Sequence, residues 1–132
     1  MDDASGWIEE EKIPKYQEII DREDSPFFKA GLIDVFIASA AIGYYYKKRE
    51  PVKHQHQLFR TFTIGSNEKL WLMKSIAVSD CGLTVLKSMK DVMKINQEFA
   101  NVGIDYLYDW HKGDDIFTSL VDMMSDILDE SP

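Results

Sequence analysis

Few residues in this chain are of types that do chemistry. His54-Gln55-His56 places two imidazoles on one side of an extended segment, His111 is the remaining histidine, and Cys81 is the single cysteine. Zinc wants three or four ligands with hydrogen-bonded support behind them. Neither Cys81 nor His111 stands at a spacing that converges on the histidine pair, so His54 and His56 read as an exposed polar loop and no metal is expected. A cysteine nucleophile needs a base and a group to orient it, and no local Cys/His signature surrounds Cys81. It reads as a structural thiol at the end of a helix. No glycine-rich phosphate loop, nucleophile elbow, metalloprotease helix or Glu-x-x-His pair occurs. The expectation is therefore a non-enzymatic protein with no catalytic residue and no cofactor; an unrecognised metal hydrolase is the remaining enzymatic alternative.

Charge carries more information. Residues 1 to 24 hold nine acids against three bases, a net of -6, and residues 114 to 132 hold six acids and no base, again -6. Between them, residues 47 to 60 hold five bases against Glu50, a net of +4. Lys47, Lys48, Arg49, Lys53 and Arg60 are thus the candidate partner- or nucleic-acid-binding residues, with Tyr44 to Tyr46 and Phe59 available for stacking on bases. The plainer reading is a solvated helix end and loop neutralised by the acidic flanks. A net charge of -8 argues against a generally nucleic-acid-binding surface, because phosphate attraction needs a positive field. Any DNA contact would be local and weak. A third reading makes the acidic faces an imitation of DNA that occupies a nuclease or sensor.

The elements that must position these residues centre on Gly31 to Gly43. Apolar residues lie on every side of its helical wheel, as in a helix surrounded by protein or lipid. The run is shorter than the roughly 20 apolar residues of a membrane span and carries Asp34. It reads as a core helix over 30–46, with Asp34 in its first turn near the positive end of the helix dipole and no membrane association. Ala38, Ser39, Ala40, Ala41 and Gly43 allow close approach of neighbours. Lys47 to Arg49 suit the helix C-terminus, and Pro51 stops it.

Upstream, Met1 to Gly6 reads as a disordered lead-in. Pro14 suits the first turn of a helix with Tyr16, Ile19 and Ile20 on its apolar side, ending near Glu23. Leu58 to Ile64 is strand-like, with Trp7 to Ile13 as its one candidate partner. Ser66 would cap a helix from Asn67 to about Asp80, and Leu83 to Lys87 suits a short helical turn. From Met89 to about His111, apolar residues recur at three- and four-residue steps. Gly103 in mid-helix, at a cost of about 1 kcal/mol relative to alanine, implies a close helix crossing. A closing helix, capped by Asp114 or Asp115, turns Ile116, Leu120, Met123, Met124, Ile127 and Leu128 to the core, and residues 129–132 should fray. The chain is long enough for one core, and no repeat or linker divides it. The expected fold is all-α or mainly α: one domain, residues 1–132, of about five helices around a buried central helix, with a two-stranded ribbon left open. A single cysteine and the absence of a secretory h-region point to the cytoplasm.

From Phe28 onward the order of motifs resembles the small DNA phosphorothioation-associated (Dnd-associated) proteins of bacterial DNA modification loci. The pieces are Asp34-Val35-Phe36-Ile37 with Ala40-Ala41-Ile42-Gly43, then Lys48-Arg49-Glu50-Pro51, then Leu58-Phe59-Arg60-Thr61-Phe62. Leu72-Met73-Lys74-Ser75-Ile76-Ala77, Glu98-Phe99-Ala100-Asn101-Val102-Gly103-Ile104 and Gly113-Asp114 follow. Glu9-Glu10-Glu11 departs from the basic strand-like opening usual in that family. The resemblance implies an accessory role in a phosphorothioation-linked restriction or anti-phage defence system, with larger proteins of that system as partners. It supplies no catalytic residues.

Overall fold

The computed structural model describes residues 4–60, 67–113 and 116–130. The elements are β1 (Ser5–Glu9), a 3-10 turn (Glu10–Lys12), α1 (Ile13–Asp21), α2 (Leu32–Tyr46), β2 (Gln55–Arg60), α3 (Asn67–Cys81), a second 3-10 turn (Leu83–Lys87), α4 (Met89–Lys112) and α5 (Ile116–Glu130). The fold is helical with one small antiparallel ribbon. Among the described residues no helix is long and apolar enough to cross a membrane.

α2 is the central helix that its all-round apolar wheel requires. Val35, Phe36, Ala40 and Ile42 are fully buried, as is the polar Ser39. Its main neighbour is α4, which runs antiparallel to it, with Gly43 across from Phe99 and Ser39 across from Gly103. At both glycines a β-carbon would collide with backbone of the other helix: at Gly43 with the Phe99 carbonyl, at Gly103 with the Ser39 carbonyl. The mid-helix glycine thus marks the crossing that its cost implied. α1 and α3 each contact both α2 and α4, contributing Tyr16 and Ile19 from one and Met73 and Ala77 from the other to the core.

Local signals set the helix ends. Pro14 lies in the first turn of α1, where its missing N–H costs nothing. Gly31 N donates to Asp34 Oδ2 (3.0 Å) and Lys69 Nζ lies 3.2 Å from Asp34 Oδ1, giving Asp34 the structural role of a helix-start carboxylate. Ser88 caps α4 by accepting from Asp91 N. The expected caps Ser66, Asp114 and Asp115 lie outside the described residues. α1 ends at Asp21, two residues before the expected Glu23.

The ribbon forms, from strands that begin earlier than expected, at Ser5 and Gln55; residues 61–64 of the expected second strand lie outside the described residues. β1 pairs antiparallel with β2, from Ser5 opposite Arg60 to Glu9 opposite Gln55, with a register shift between Gly6 and Trp7. Leu58, which has no partner across that shift, is the extra residue of a bulge. Gly6 leaves room for the Phe59 ring, which meets Phe36 of α2 edge-on at 5.3 Å. The strand therefore starts inside the stretch expected to be a disordered lead-in, and Ala4 is buried. Residues 129 and 130 likewise belong to α5, while 1–3 and 131–132 lie outside the described residues. Glu9 anchors the ribbon: its buried carboxylate accepts from Lys53 N (3.0 Å) and His54 N (2.7 Å).

The expected core-facing side of α5 is only partly covered. Ile116 is buried and Leu120 and Met123 are half-buried, but Met124, Ile127 and Leu128 are exposed.

Two outcomes follow from this architecture. Gly103→Ala should lower unfolding free energy in urea titrations by about 3 kcal/mol or more, the upper range of overpacking, despite a helix-propensity gain of about 1 kcal/mol; an unchanged midpoint would refute the close crossing. The amide hydrogen bond from Lys53, opposed by burial and helped by the His54 amide, holds the Glu9 carboxyl below its ordinary value. Its contribution is therefore complete above the ordinary carboxylate range and is lost as pH falls through the lowered value. Glu9→Ala should cost about 1–3 kcal/mol, the penalty for stranding buried donors, and speed hydrogen exchange at Lys53 and His54.

Candidate functional site

The basic connector begins where α2 stops. Lys47 takes a left-handed conformation (φ 58°) as the C-cap, and its N–H and that of Lys48 reach back to the Tyr44 and Gly43 carbonyls (each 3.0 Å). The chain then turns along α4. Glu50 N donates to Glu98 O, and Asn101 Nδ2 donates to the carbonyls of Glu50 (3.3 Å) and Pro51 (3.2 Å). Val52 is buried. At the far end the Glu9 carboxylate holds the amides of Lys53 and His54.

The cations that share this segment turn to different neighbours. Lys47 Nζ lies 3.4 Å from the Tyr44 ring centroid. Lys48 Nζ donates to Tyr106 Oη (3.1 Å), a contact that raises its pKa above the ordinary lysine value. Tyr106 in turn stacks on Tyr46 at 4.4 Å and 12°, and Tyr45 Oη donates to Asp126 of α5 (2.6 Å). Arg49 is paired twice, Nη1 to Asp80 Oδ2 at 2.9 Å and Nε to Glu98 Oε1 at 3.6 Å, with its guanidinium 5.7 Å from the Phe99 ring centroid. The Lys53 side chain is exposed and makes no ion pair among the described residues. Arg60 closes β2 opposite Ser5; its side chain lies outside the described residues. The structure thus gathers Lys47, Lys48 and Arg49 at the end of α2 and sets Lys53 apart beside the ribbon.

Two clefts open on either side of the Lys94–Glu98 ridge of α4. One, of about 490 Å³, is lined by Trp7, Gln55, Lys90 and Gln97, among others; the second, of about 390 Å³, by Arg49, Cys81, Thr84 and Asp91. Lys90 and Lys94 were missed as candidates because each, read alone, is a solvated helical lysine. Their four-residue spacing, which puts them on one face of α4, was the available signal.

The remaining polar candidates do not assemble. His54 Nδ1 lies 3.6 Å from Glu9 Oε2, His56 pairs with Ile8 in the ribbon, and His111 is buried near Glu18 on α1. Among the described residues no group of three or more His, Cys, Asp or Glu is arranged to hold a metal ion. The exposed Cys81 thiol donates to Asp80 Oδ2 (3.1 Å), which keeps the proton on sulfur and raises the thiol pKa, with burial adding to it.

These features define a small helical protein with a mixed-charge, tyrosine-rich face fastened to α4. The chain belongs to the family of DNA sulphur modification system-associated protein 4, whose family model matches residues 9–130. No curated protein and no solved structure matches it. Membership agrees with the motif resemblance and makes the protein an associate of a DNA sulphur modification system.

Since Asp80 raises the Cys81 pKa, Asp80→Asn should move the pH midpoint of iodoacetamide alkylation downward and speed the reaction below that midpoint. An unshifted profile would show that the carboxylate does not hold the thiol proton.

Proposed function

We propose that this protein is a non-enzymatic accessory component of a DNA sulphur modification-linked restriction and anti-phage defence system. It works as one helical domain that docks on larger proteins of that system through Lys47, Lys48, Arg49, Lys53 and Arg60. The observation that carries this reading is the pairing of Arg49 with Asp80 and Glu98. A guanidinium committed to two carboxylates adds little to a positive field, so the connector presents alternating charge with aromatic surface. Such a face suits a partner protein of complementary pattern, where charge sets partner choice and on-rate more than affinity. A phosphate backbone rewards uncompensated cations. Family membership supports the system, and the net charge of -8 supports a protein partner over free DNA.

The test has two arms. Purified protein is titrated against a fluorescent duplex, with and without phosphorothioate linkages, across a salt series. In parallel, tagged protein is co-expressed with the products of neighbouring genes and recovered. The expected result is weak DNA binding at low salt and co-purification of a neighbouring product, reduced at least tenfold in a Lys47→Glu/Lys48→Glu/Lys53→Glu variant. Tight, salt-sensitive DNA binding lost in a Lys48→Ala/Arg49→Ala/Arg60→Ala variant would overturn the reading and make the connector a DNA contact.

A further inference from the structure

The larger cleft beside α4, about 490 Å³ in volume, falls within the size range of small-molecule sites. Three parts of the chain enclose it: the start of the ribbon with Trp7, the connector with Val52, and one face of α4 with Met93. Val52 and Met93 are buried and give it apolar lining.

Its polar groups are unspent. Gln97 is 8% exposed, and its Oε1 accepts from Trp7 N at 3.2 Å. That bond fixes the amide orientation and turns the NH2 group the other way. The NH2 donates to nothing among the described residues and is not sealed in the core, so it faces the cleft that Gln97 lines. Half-buried Trp7 lines the same cleft, and its indole N–H and ring likewise have no hydrogen-bond, ring or cation partner among the described residues. Lys90 and Lys94 stand on the α4 side, exposed and without an ion pair among those residues. The carboxylate in the lining, Glu98, is turned to Arg49 at 3.6 Å. The cleft therefore offers two cations, two neutral donors and an aromatic surface.

We infer that this cleft binds a nucleoside monophosphate, with its base against Trp7 and Gln97 and its phosphate between Lys90 and Lys94. Lys90, Lys94 and Gln97 follow one another at four- and three-residue steps along one face of α4, a row about 10 Å long. Inorganic phosphate meets only the lysine end of that row. An aromatic acid carries its charge on the ring and is too short to place both groups, whereas a sugar separates a base from its phosphate. Bases stack on aromatic side chains, and both unpaired donors suit the acceptor atoms of a base edge. The same unit occurs at the 5′ end of a nucleic-acid strand. A net charge of -8 repels a polyanion, while two lysines match one phosphate, so the free mononucleotide is the ligand. Lys90 and Lys94 lie outside the connector assigned to protein docking, so the two readings fail separately.

The experiment is a 1H–15N NMR titration of the full chain with AMP, GMP and UMP. The parent nucleosides, inorganic phosphate and a 5′-phosphorylated oligonucleotide serve as comparisons. At least one nucleotide should saturate in the submillimolar range and shift the Trp7 indole N–H and Gln97 NH2 signals, which Trp7→Phe and Gln97→Glu identify by removing them. Its nucleoside and inorganic phosphate should each bind at least tenfold more weakly. Lys90→Ala/Lys94→Ala, at exposed helix positions, should lower affinity at least tenfold. Gln97→Glu keeps an acceptor for Trp7 N but replaces the donor with an anion, and should abolish binding while the ribbon amide signals stay in place; if those signals move, the lysine variant decides alone. Nucleotides that leave both side-chain signals unmoved, phosphate that binds as tightly as the nucleotide, a lysine variant that binds as wild type does, or an oligonucleotide that binds more tightly than the mononucleotide would each overturn the inference.

Discussion

The structure depends on two backbones meeting where side chains would ordinarily keep them apart. At the α2–α4 crossing, Gly43 lies against Phe99 and Gly103 against Ser39. This contact brings α4 onto the most apolar helix of the chain and leaves two clefts between them, filled by α1 and α3. Dispersion attraction falls steeply with separation, so a wider crossing would weaken every side-chain contact above and below it. The fully buried Phe36, Ile42, Met93 and Ile104 are packed because the glycines let the helices close.

α4 carries more than an apolar stripe. Gln97 and Asn101 are almost fully buried, and each bonds main chain from elsewhere. Gln97 Oε1 accepts from Trp7 N, and Asn101 Nδ2 donates to the connector. Asp105 draws Lys12 and Lys15 to the same helix at 2.9 and 2.8 Å. Burial works to raise the Asp105 pKa, but the two lysines outweigh it and hold the carboxylate below its ordinary value. One helix thus organises the core on one side and fastens the ribbon, the connector and the start of α1 on others.

Much of this was legible in local pattern. The all-round apolar wheel of α2, the three- and four-residue steps of α4, Pro14 and the mid-helix Gly103 each act within a few residues, so their meaning survives without knowledge of the fold. Long-range polar partners could not be read in the same way. Nothing near Gln97 or Asn101 in sequence marks them as buried, since the chain that covers them lies 50 to 90 residues earlier, and the pairing of Arg49 with Asp80 joins the ends of two helices that sequence spacing does not connect. The role of Glu9 is hidden for the same reason: an acid in a strand is unfavourable unless amide donors arrive from elsewhere, and here two do. In α5 the periodicity correctly located apolar side chains, but periodicity names a helix face without naming what covers it. For the candidate site, composition marks the basic connector, while the division of Lys47, Lys48, Arg49 and Lys53 among tyrosines, carboxylates and solvent is a property of the fold.

The manner in which the connector is held has a thermodynamic consequence. Main-chain groups from Lys47 to His54 are tied in turn to the end of α2, to Glu98 and Asn101, and to Glu9. A loop of this kind has already lost its backbone freedom during folding, so a molecule that lands on it does not have to order it again. The cost of immobilising interface segments, which takes a large share of the gross interaction energy in most associations, would for such a molecule fall almost wholly on the lysine side chains and on the molecule itself. A small contact area can then suffice for useful affinity, and its geometry is set before the encounter.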